Sequence, residues 1–352
     1  MKERSAGLDL VRVMAIACVM GIHAISYTGV MDTSVTSPAW IVYLIFRFIA
    51  MSGVPLFLML SGYLCCDRKF SGRYYVGIIP ILISYLFISV ATILFSWTVG
   101  LQNYTLWTAI NGILNYTAHD YGWYVEMYIG LFLLIPFLNA MFEALQTKRA
   151  RLALVLTLSV LTFLPPSLES FRVNSVTLNI TADYWRAIYP MTYYFIGAYL
   201  RKHPPVLSRG LRLGLAIAAT ALPCIMCYIY SRLDGAFAWY VMNGFSSITA
   251  ALTGLCYFLL FFDFPVKAKP IRFAAREIAV CSFEMYLFSF ITDYAVWRLL
   301  ARWGIAHNSL RLVMQFAISF VCAYVVSRIF RFGAVPLTRW LKGMFVGKTP
   351  AQ

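Results

Sequence analysis

Residues 8–29, LDLVRVMAIACVMGIHAISYTG, form an apolar run long enough to cross a bilayer, yet Arg12 and His23 lie within it. Arg12 and His23 are eleven positions apart. On an α-helix this spacing places both within about 20° of one face, separated by about 16 Å of rise. A charged group in hydrocarbon costs about 2.5 to 3.5 kcal/mol even on lenient insertion scales. Two such groups on one face predict a polar cavity that reaches deep into the membrane. The alternative is two polar side chains that snorkel or pair with neighbours.

The composition places the whole chain among polytopic membrane proteins. Of its 352 residues 61% are hydrophobic and 12% are charged, which leaves too little polar surface to coat a soluble globule. Apolar runs of spanning or nearly spanning length recur along the chain, so the sequence predicts an all-α protein with about ten transmembrane helices. The runs lie near 10–29, 39–64, 75–99, 123–142, 151–167, 185–200, 211–230, 239–262, 278–297 and 311–330.

The net charge of +15 has a topological explanation. Basic residues cluster before the first run, after the second, fourth, sixth and eighth runs, and at the end of the chain. The positive-inside rule then predicts that both termini are cytoplasmic. Because this placement accounts for most of the basic excess, we expect the lipid bilayer, and no nucleic acid, as the partner of these charges.

No feature of the sequence divides the chain, and we expect one integral membrane domain over residues 1–352 with a short basic cytoplasmic tail. The eight cysteines lie in or beside apolar runs and give no disulfide framework. Cys224 and Cys227 form a CxxC pair inside a predicted span, without partner ligands. We therefore expect no metal site.

Four ionisable residues fall at similar predicted depths in the outer half of the membrane. With both termini inside, the first two runs place His23 and Arg47 there. Glu126 and Asp293 approach the same level from the fourth and ninth runs. A single charge of this kind is more often part of a structural ion pair, but four at compatible depths predict an outer functional chamber.

A second group of charged residues faces the cytoplasm in this topology. It comprises Arg12, Glu284 and the cations of the loop DRKFSGRYY, which are Arg68, Lys69 and Arg73. A basic cluster at the mouth of a pore can bind phosphates through charge-assisted hydrogen bonds. Cytoplasmic loops are also basic merely to set orientation, so both interpretations stay open.

Five segments together resemble the membrane-bound acyltransferase family 3, over about residues 5 to 330. They are GLDLVRVMAIACVMGIHAIS (7–26), PLFLMLSGYL (55–64), WYVEMYIGLFLLIPFLN (123–139), YYFIGAYLRK (193–202) and CSFEMYLFSF (281–290). The most specific element is an arginine, ten intervening residues and a histidine, matched by Arg12 and His23. The resemblance implies about ten spans in a bacterial cytoplasmic membrane. It also implies transfer of an acyl group, usually acetyl, from cytoplasmic acyl-CoA to hydroxyls of extracytoplasmic glycans or related envelope molecules.

The chain departs from the family pattern in two of these regions. Phe288 and Ser289 follow the late Tyr-Leu pair, where many relatives have a histidine. Tyr121 stands two residues before Trp123, at a position where a histidine often occurs. These differences bear on the subfamily and the acceptor more than on the first-run chemistry.

The predicted mechanism must present the thioester of a large, charged donor through the bilayer to an acceptor that stays outside. We expect Arg12, Arg68, Lys69 and Arg73 to hold the nucleotide and pyrophosphate of acetyl-CoA or another acyl-CoA. His23, with an ordinary pKa of about 6.5, then removes the acceptor hydroxyl proton or becomes transiently acylated. The sequence does not choose between these two routes.

The remaining residues of the outer chamber receive supporting roles. Glu126 or Asp293 would orient the imidazole of His23 for catalysis. Arg47 would stabilise the oxyanion or hold the acceptor, and Trp123 is assigned to the same substrate site.

Two other classes of function compete with acyl transfer. The charges could line the path of a transporter or flippase for an envelope lipid or polysaccharide, and Pro55 after Gly53 could break the second span as in transporters. The absence of an evident inverted repeat weighs against this alternative. A membrane sensor that binds a ligand without chemistry is the third possibility.

Overall fold

The computed structural model describes residues 5–118, 120–173, 176–177, 182–305 and 308–346, which are largely helical. Two short strands, Arg172–Val173 and Val176–Thr177, pair antiparallel. Short 3-10 helices cover Val30–Asp32, Val76–Ile78 and Asp183–Ile188. The α-helices of the described residues are α1 Ala6–Thr28, α2 Pro38–Ala50, α3 Gly53–Cys65, α4 Gly72–Tyr75, α5 Ile79–Thr98, α6 Leu106–Leu114, α7 Trp123–Ala144, α8 Lys148–Leu168, α9 Tyr189–Lys202, α10 Arg209–Asp234, α11 Ile248–Phe261, α12 Lys269–Arg302 and α13 Asn308–Val346.

Capping side chains and prolines determine where several helices begin. The side chains of Ser208 and Ser247 accept hydrogen bonds from backbone N–H groups in the first turns of α10 and α11. Prolines occupy the first turns of α2, α5, α9 and α12, where the missing N–H leaves no helical hydrogen bond unmade. The starts of these helices therefore follow from capping residues and prolines in the local sequence. The apolar runs alone do not locate them.

Seven helical stretches among the described residues are long and apolar enough to cross a membrane. They are Ala6–Thr28, Pro38–Cys65, Gly72–Thr98, Trp123–Ala144, Lys148–Leu168, Arg209–Asp234 and Asn308–Phe345. The prediction of an all-α, multi-pass membrane protein is therefore confirmed in its coarse form.

The exact count of ten spans and the cytoplasmic termini stay predictions. The runs predicted near 185–200 and 239–262 fall on α9 and α11, which have 14 residues each. A helix of that length is about 21 Å long, shorter than the hydrocarbon core of about 30 Å. The run near 278–297 lies inside α12, where Glu284 and Asp293 lower the apolar character.

The second predicted span is divided between α2 and α3 at Met51 and Ser52. Gly53, the first residue of α3, lies directly against α1. A Cβ there would come within 2.9 Å of the Val19 side chain and 3.0 Å of the Ala15 carbonyl oxygen. Glycine therefore lets α3 approach α1 more closely than any other residue would.

Helices α3 and α9 cross in close contact through two glycines. A Cβ on Gly62 would lie 1.9 Å from the carbonyl oxygen of Tyr194, and one on Gly197 would lie 1.9 Å from that of Met59. No side chain larger than hydrogen fits either position without moving a backbone. This small-residue contact places α9 directly against α3.

Helix α1 lies at the centre of the bundle. It packs against α2, α3, α11, α12 and α13, and Val11, Ala15 and Ile16 are fully buried in these contacts. Helices α12 and α13 pack on each other and both contact α5. Arg12 and His23 of α1 consequently lie in a helical bundle, and α12 and α13 contribute several of its buried polar side chains, among them Glu284, Asp293 and Gln315.

Candidate active site

His23 is held at its Nδ1 atom by two residues of α12. Nδ1 lies 3.2 Å from the Ser289 hydroxyl oxygen and 3.3 Å from Oδ2 of Asp293. Ser289 and Asp293 are four positions apart, which places both on one face of the helix. All three side chains are buried, and Asp293 is fully enclosed. Helix packing thus brings His23 of α1 against two residues of α12 that are distant from it in sequence.

The hydrogen bonds assign the protonation of the imidazole. The Ser289 hydroxyl donates to the Tyr286 carbonyl at 2.7 Å, so its oxygen accepts from Nδ1–H of His23. The Asp293 carboxylate lies in ion-pair range of Nδ1 but without hydrogen-bond alignment, and it acts through its charge. Nδ1 is the one ring nitrogen of His23 hydrogen-bonded to another described residue. The tautomer inferred from this arrangement keeps the lone pair on Nε2, which can therefore accept a proton.

Asp293 is itself anchored to α13. The side-chain Nε2 of Gln315 donates to the backbone carbonyl of Asp293 at 2.9 Å, and Gln315 also donates to Ser319 at 3.2 Å. Gln315 is fully buried. These bonds fix the backbone that carries the carboxylate, and they hold the carboxylate in place beside the imidazole.

One face of the imidazole is covered by Tyr121. The two rings are stacked, with centroids 3.7 Å apart and an interplanar angle of 9°. The Tyr286 hydroxyl donates a hydrogen bond to the Tyr121 backbone carbonyl. Burial, followed by the charge of Asp293, raises the pKa of Tyr121 well above its ordinary value, so the phenol stays protonated. Tyr121 and Tyr286 form an aromatic layer next to His23.

A cavity of about 320 Å³ lies on the Arg12 side of this layer. It is enclosed mainly by α1, α3, α5, α7, α12 and α13. Its lining includes Val19 of α1, one helical turn before His23, and Tyr286 of the aromatic layer. The cavity therefore extends from the level of Arg12 to within about one helical turn of His23 along α1, about 6 Å.

The polar lining of the cavity is concentrated at its Arg12 end. Arg12, Glu284 and Arg331 are its three charged lining residues. The Arg12 guanidinium lies 3.8 Å from the Asp9 carboxylate, and Nη1 of Arg331 lies 2.8 Å from Oε1 of Glu284. Toward His23 the walls are largely aromatic and aliphatic. The cavity thus offers charge at one end and an apolar channel at the other.

The basic loop between α3 and α5 flanks the cavity without lining it. Arg68, Lys69 and Arg73 are all exposed. The residues on either side of the loop do line the cavity, namely Leu64 and Cys65 before it and Pro80 and Ile81 after it. The structure therefore places the three predicted phosphate ligands at the rim and Arg12 inside.

Beside these cations, Asp67 forms an ion pair with Lys202 of α9 at 2.6 Å. The hydrogen bond from Lys202 holds the pKa of the Asp67 carboxyl below its ordinary value. This ion pair joins the start of the loop to α9. The three cations of the loop itself, Arg68, Lys69 and Arg73, remain exposed to solvent.

The structure does not bring Arg47, Glu126 or Trp123 into contact with His23. The Arg47 guanidinium is buried over the rings of Phe237 and Trp239, at 5.3 and 4.9 Å, and donates to the Asn243 side chain. No described carboxylate lies within 4 Å of it.

Glu126 and Trp123 both lie in the first turn of α7. Glu126 is exposed, and Trp123 stacks on Phe245 with centroids 5.7 Å apart. Of the two carboxylates predicted to orient the imidazole, the structure places Asp293 beside it and Glu126 away from it.

Sequence reasoning missed the contacts made by Ser289, Tyr121 and Tyr286. The signal for Ser289 was its spacing of four from Asp293, which puts both on the face that meets α1. Tyr121 and Ser289 lie at two of the places where the sequence departs from the expected family pattern, and both contact His23.

Among the described residues no group of histidine, cysteine and carboxylate side chains could hold a metal ion. The free Cys224 and Cys227 lie in the buried contact of α10 with α2. The groups that the site does present are an imidazole paired with a carboxylate and, next to them, a cavity with charged residues at one end.

A family model described as an acyltransferase domain matches residues 5–330 of the chain. No curated protein and no solved structure matches it. The matched range includes Arg12, His23, Ser289 and Asp293, and several apolar helices agree with a multi-pass membrane transferase. Because the match covers nearly the whole chain, the protein belongs to acyltransferase family 3.

Proposed function

We propose that the protein transfers an acyl group, in the simplest case acetyl, from cytoplasmic acyl-CoA to a hydroxyl of an extracytoplasmic glycan or other envelope molecule. The proposal places the protein in a bacterial cytoplasmic membrane. The observation that carries it is the cavity that ends about one helical turn from His23, whose Nδ1 is occupied by Ser289 and Asp293. Such a cavity can admit the arm of a donor from one side, while the acceptor approaches from the other.

Charge favours donor entry from the Arg12 end. The nucleotide and pyrophosphate of CoA are anionic, and the exposed Arg68, Lys69 and Arg73 lie in the loop that borders the cavity. Arg12 stands inside the mouth. Cations in these positions bind phosphate through charge-assisted hydrogen bonds, and the less polar arm then extends along the aromatic walls toward His23.

The imidazole supplies base catalysis at the other end. Nε2 of His23 removes the acceptor hydroxyl proton as the oxygen attacks the thioester carbonyl. The new C–O ester bond forms, the C–S bond breaks, and the proton passes from Nε2 to the departing thiolate. Asp293 stabilises the imidazolium that exists between these steps. A route through an acyl-histidine uses the same Nε2 atom as nucleophile and the same leaving thiolate.

The acceptor would bind beyond the aromatic layer, on the side of His23 away from the cavity. We assign Arg47 and Trp123 to acceptor binding. Arg47 has no described acidic partner, and Trp123 has an exposed ring that could stack on a sugar. Glu126, exposed in the first turn of α7, could also meet the acceptor but does not reach His23.

Acyl transfer by the purified protein in lipid nanodiscs tests the proposal. Labelled acetyl-CoA is supplied with an envelope glycan, and both ester formation and thiol release are measured. We expect His23→Ala to lower transfer by about 10²-fold or more, the usual scale for a general base, while membrane abundance is unchanged. His203→Ala serves as the matched control because His203 lies at the end of α9 and outside the cavity. Near-parental transfer by a correctly inserted His23→Ala protein would overturn the mechanism.

A transporter remains the second candidate because the predicted second span is indeed broken between α2 and α3. A local hydrogen bond stabilises the backbone at this break, because the fully buried Ser52 hydroxyl donates to the Ile49 carbonyl at 2.7 Å. A transporter would move its substrate without cleaving a thioester. Thiol release that depends on His23 therefore separates the enzyme from the transporter.

A further inference from the structure

Glu284 carries a buried oxygen that no described residue satisfies. It lies on α12, nine positions before Asp293, and is 6% exposed. Its Oε1 accepts from Nη1 of Arg331 at 2.8 Å and from the Ser84 hydroxyl at 3.4 Å. Its Oε2 is buried without a hydrogen-bond partner. The residue also lines the cavity.

A carboxylate oxygen in this position needs a hydrogen-bond donor. Leaving a buried acceptor unsatisfied costs about 1 to 3 kcal/mol, and more for a charged group. The lining offers no N–H or O–H group to Oε2, although Arg331 and Ser84 are both close enough to share Oε1. A ligand in the cavity that brings its own N–H group would satisfy this oxygen.

Distances along α12 indicate which part of a donor would meet it. Nine residues of helix correspond to a rise of about 13.5 Å between Glu284 and Asp293. A thioester delivered to His23 lies near the level of Asp293, and the pantetheine arm carries two amide N–H groups at increasing distance from its sulfur. The farther amide nitrogen is about 9 Å from the sulfur in an extended arm. The remaining rise of about 4.5 Å is comparable to the length of a glutamate side chain plus one hydrogen bond.

We propose that Oε2 of Glu284 accepts a hydrogen bond from an amide N–H of the donor's pantetheine arm and thereby sets how far the thioester extends toward His23. This inference rests on the proposed function, because it takes the cavity as the donor site. It assigns a binding residue to the arm itself, whereas the cations at the rim bind the phosphates. Arg331 is a positioning residue, since it holds Oε1 and leaves Oε2 without a partner among the described residues.

Equilibrium binding of acetyl-CoA, and of an analogue whose arm amides are N-methylated, tests the proposal on the full chain in nanodiscs. In the parental protein we expect the analogue to bind about tenfold more weakly. Glu284→Gln keeps the size of the side chain, but Arg331 retains the amide oxygen and the NH₂ group turns toward the cavity. This variant should bind acetyl-CoA about tenfold more weakly and should no longer distinguish it from the analogue.

Glu277→Gln provides a matched control. Glu277 pairs with Arg328 at 3.0 Å across the same two helices, yet it does not line the cavity. This variant should keep the parental preference for acetyl-CoA over the analogue. Equal binding of the two ligands by the parental protein would overturn the proposal without any variant, and so would an unchanged preference in Glu284→Gln.

Transfer measured on the same samples separates this proposal from the proposed function. A protein that transfers acetyl groups but binds both ligands equally keeps the function and overturns the role of Glu284. A protein that discriminates between the ligands through Glu284 but transfers nothing keeps the role of Glu284 and overturns the function. Failure to bind acetyl-CoA overturns both.

Discussion

The two ends of α1 hold their ionisable side chains in different ways. The His23 side chain is 11% exposed, and its Nδ1 has a hydroxyl and a carboxylate in range while Tyr121 covers one ring face. The Arg12 side chain is 29% exposed and faces a cavity of about 320 Å³. One end is tightly packed by the protein itself, whereas the other leaves space beside charged groups.

This difference indicates which interactions the protein supplies and which a ligand must supply. A catalytic base works best when its orientation is fixed before substrate arrives, and the packing around His23 meets that requirement. A binding region for a flexible arm needs room and hydrogen-bonding groups that the free protein leaves available. The cavity with its unsatisfied Glu284 oxygen has both features.

The largest expected effect concerns which side of the membrane each end of α1 faces, because a topology reporter gives an all-or-none result. The loop charges predict that reporters fused after residue 69 and after residue 149 report the cytoplasm and that one inserted near residue 110 reports the outside. Alkaline phosphatase and fluorescent-protein fusions measure this directly. An external signal at residue 149 would place Arg12 on the wrong side for a cytoplasmic donor.

The next largest effect is expected at the His23 end. Asp293→Asn removes the charge that stabilises the imidazolium but keeps the size of the side chain, so turnover at saturating donor should fall by about 10²-fold or more. Ser289→Ala is the matched comparison on the same helix face. It removes a neutral partner of Nδ1, and a loss of about tenfold or less is expected. Acetyl-CoA binding should be unchanged in both variants. Equal losses in both would show that charge is not the contribution of Asp293.

At the Arg12 end the expected effects are on donor affinity. Arg12→Ala should raise the apparent donor KM by about tenfold, since one charge-assisted contact of about 1.5 kcal/mol is lost inside the cavity. Arg68→Ala removes an exposed cation, so an increase of about threefold is expected, and it should shrink further in high salt. Unchanged donor dependence in both variants would return these residues to a purely topological role.

Two features could be predicted from the sequence because both follow from short-range rules. They are the class of membrane protein and the shared face of Arg12 and His23 on α1. Hydrophobic run length identifies spans, and a spacing of eleven puts Arg12 and His23 on one face whatever the tertiary fold. The predicted depth of each residue in the membrane also put Asp293 at the level of His23. In the structure, Oδ2 of Asp293 lies 3.3 Å from Nδ1 of His23. Depth alone could not separate Asp293 from Glu126, because it carries no information on the direction in which a helix faces.

The rest of the site depends on contacts that sequence spacing does not contain. The stacking of Tyr121 on His23 requires the loop before α7 to fold back over α1. The pairing of Glu284 with Arg331 requires α12 and α13 to pack in one register. The close contact of α3 and α9 depends on Gly62 and Gly197, each of which lies against the backbone of the other helix. The sequence alone does not show which helix each glycine faces.

The smallest expected effect concerns the aromatic layer between the two ends. Tyr286 lines the cavity and donates to the Tyr121 carbonyl, so it ties the cavity wall to the residue that covers His23. Tyr286→Phe keeps the ring but removes this bond, which leaves the Tyr121 loop less firmly held. If the layer keeps water from the donor, thiol release without acceptor should rise by about threefold while transfer changes little. Tyr128→Phe, at another tyrosine of the cavity wall, is the control and should leave thiol release at the parental rate. A Tyr286→Phe protein with parental thiol release would show that the two ends of α1 are separated by packing of the rings alone.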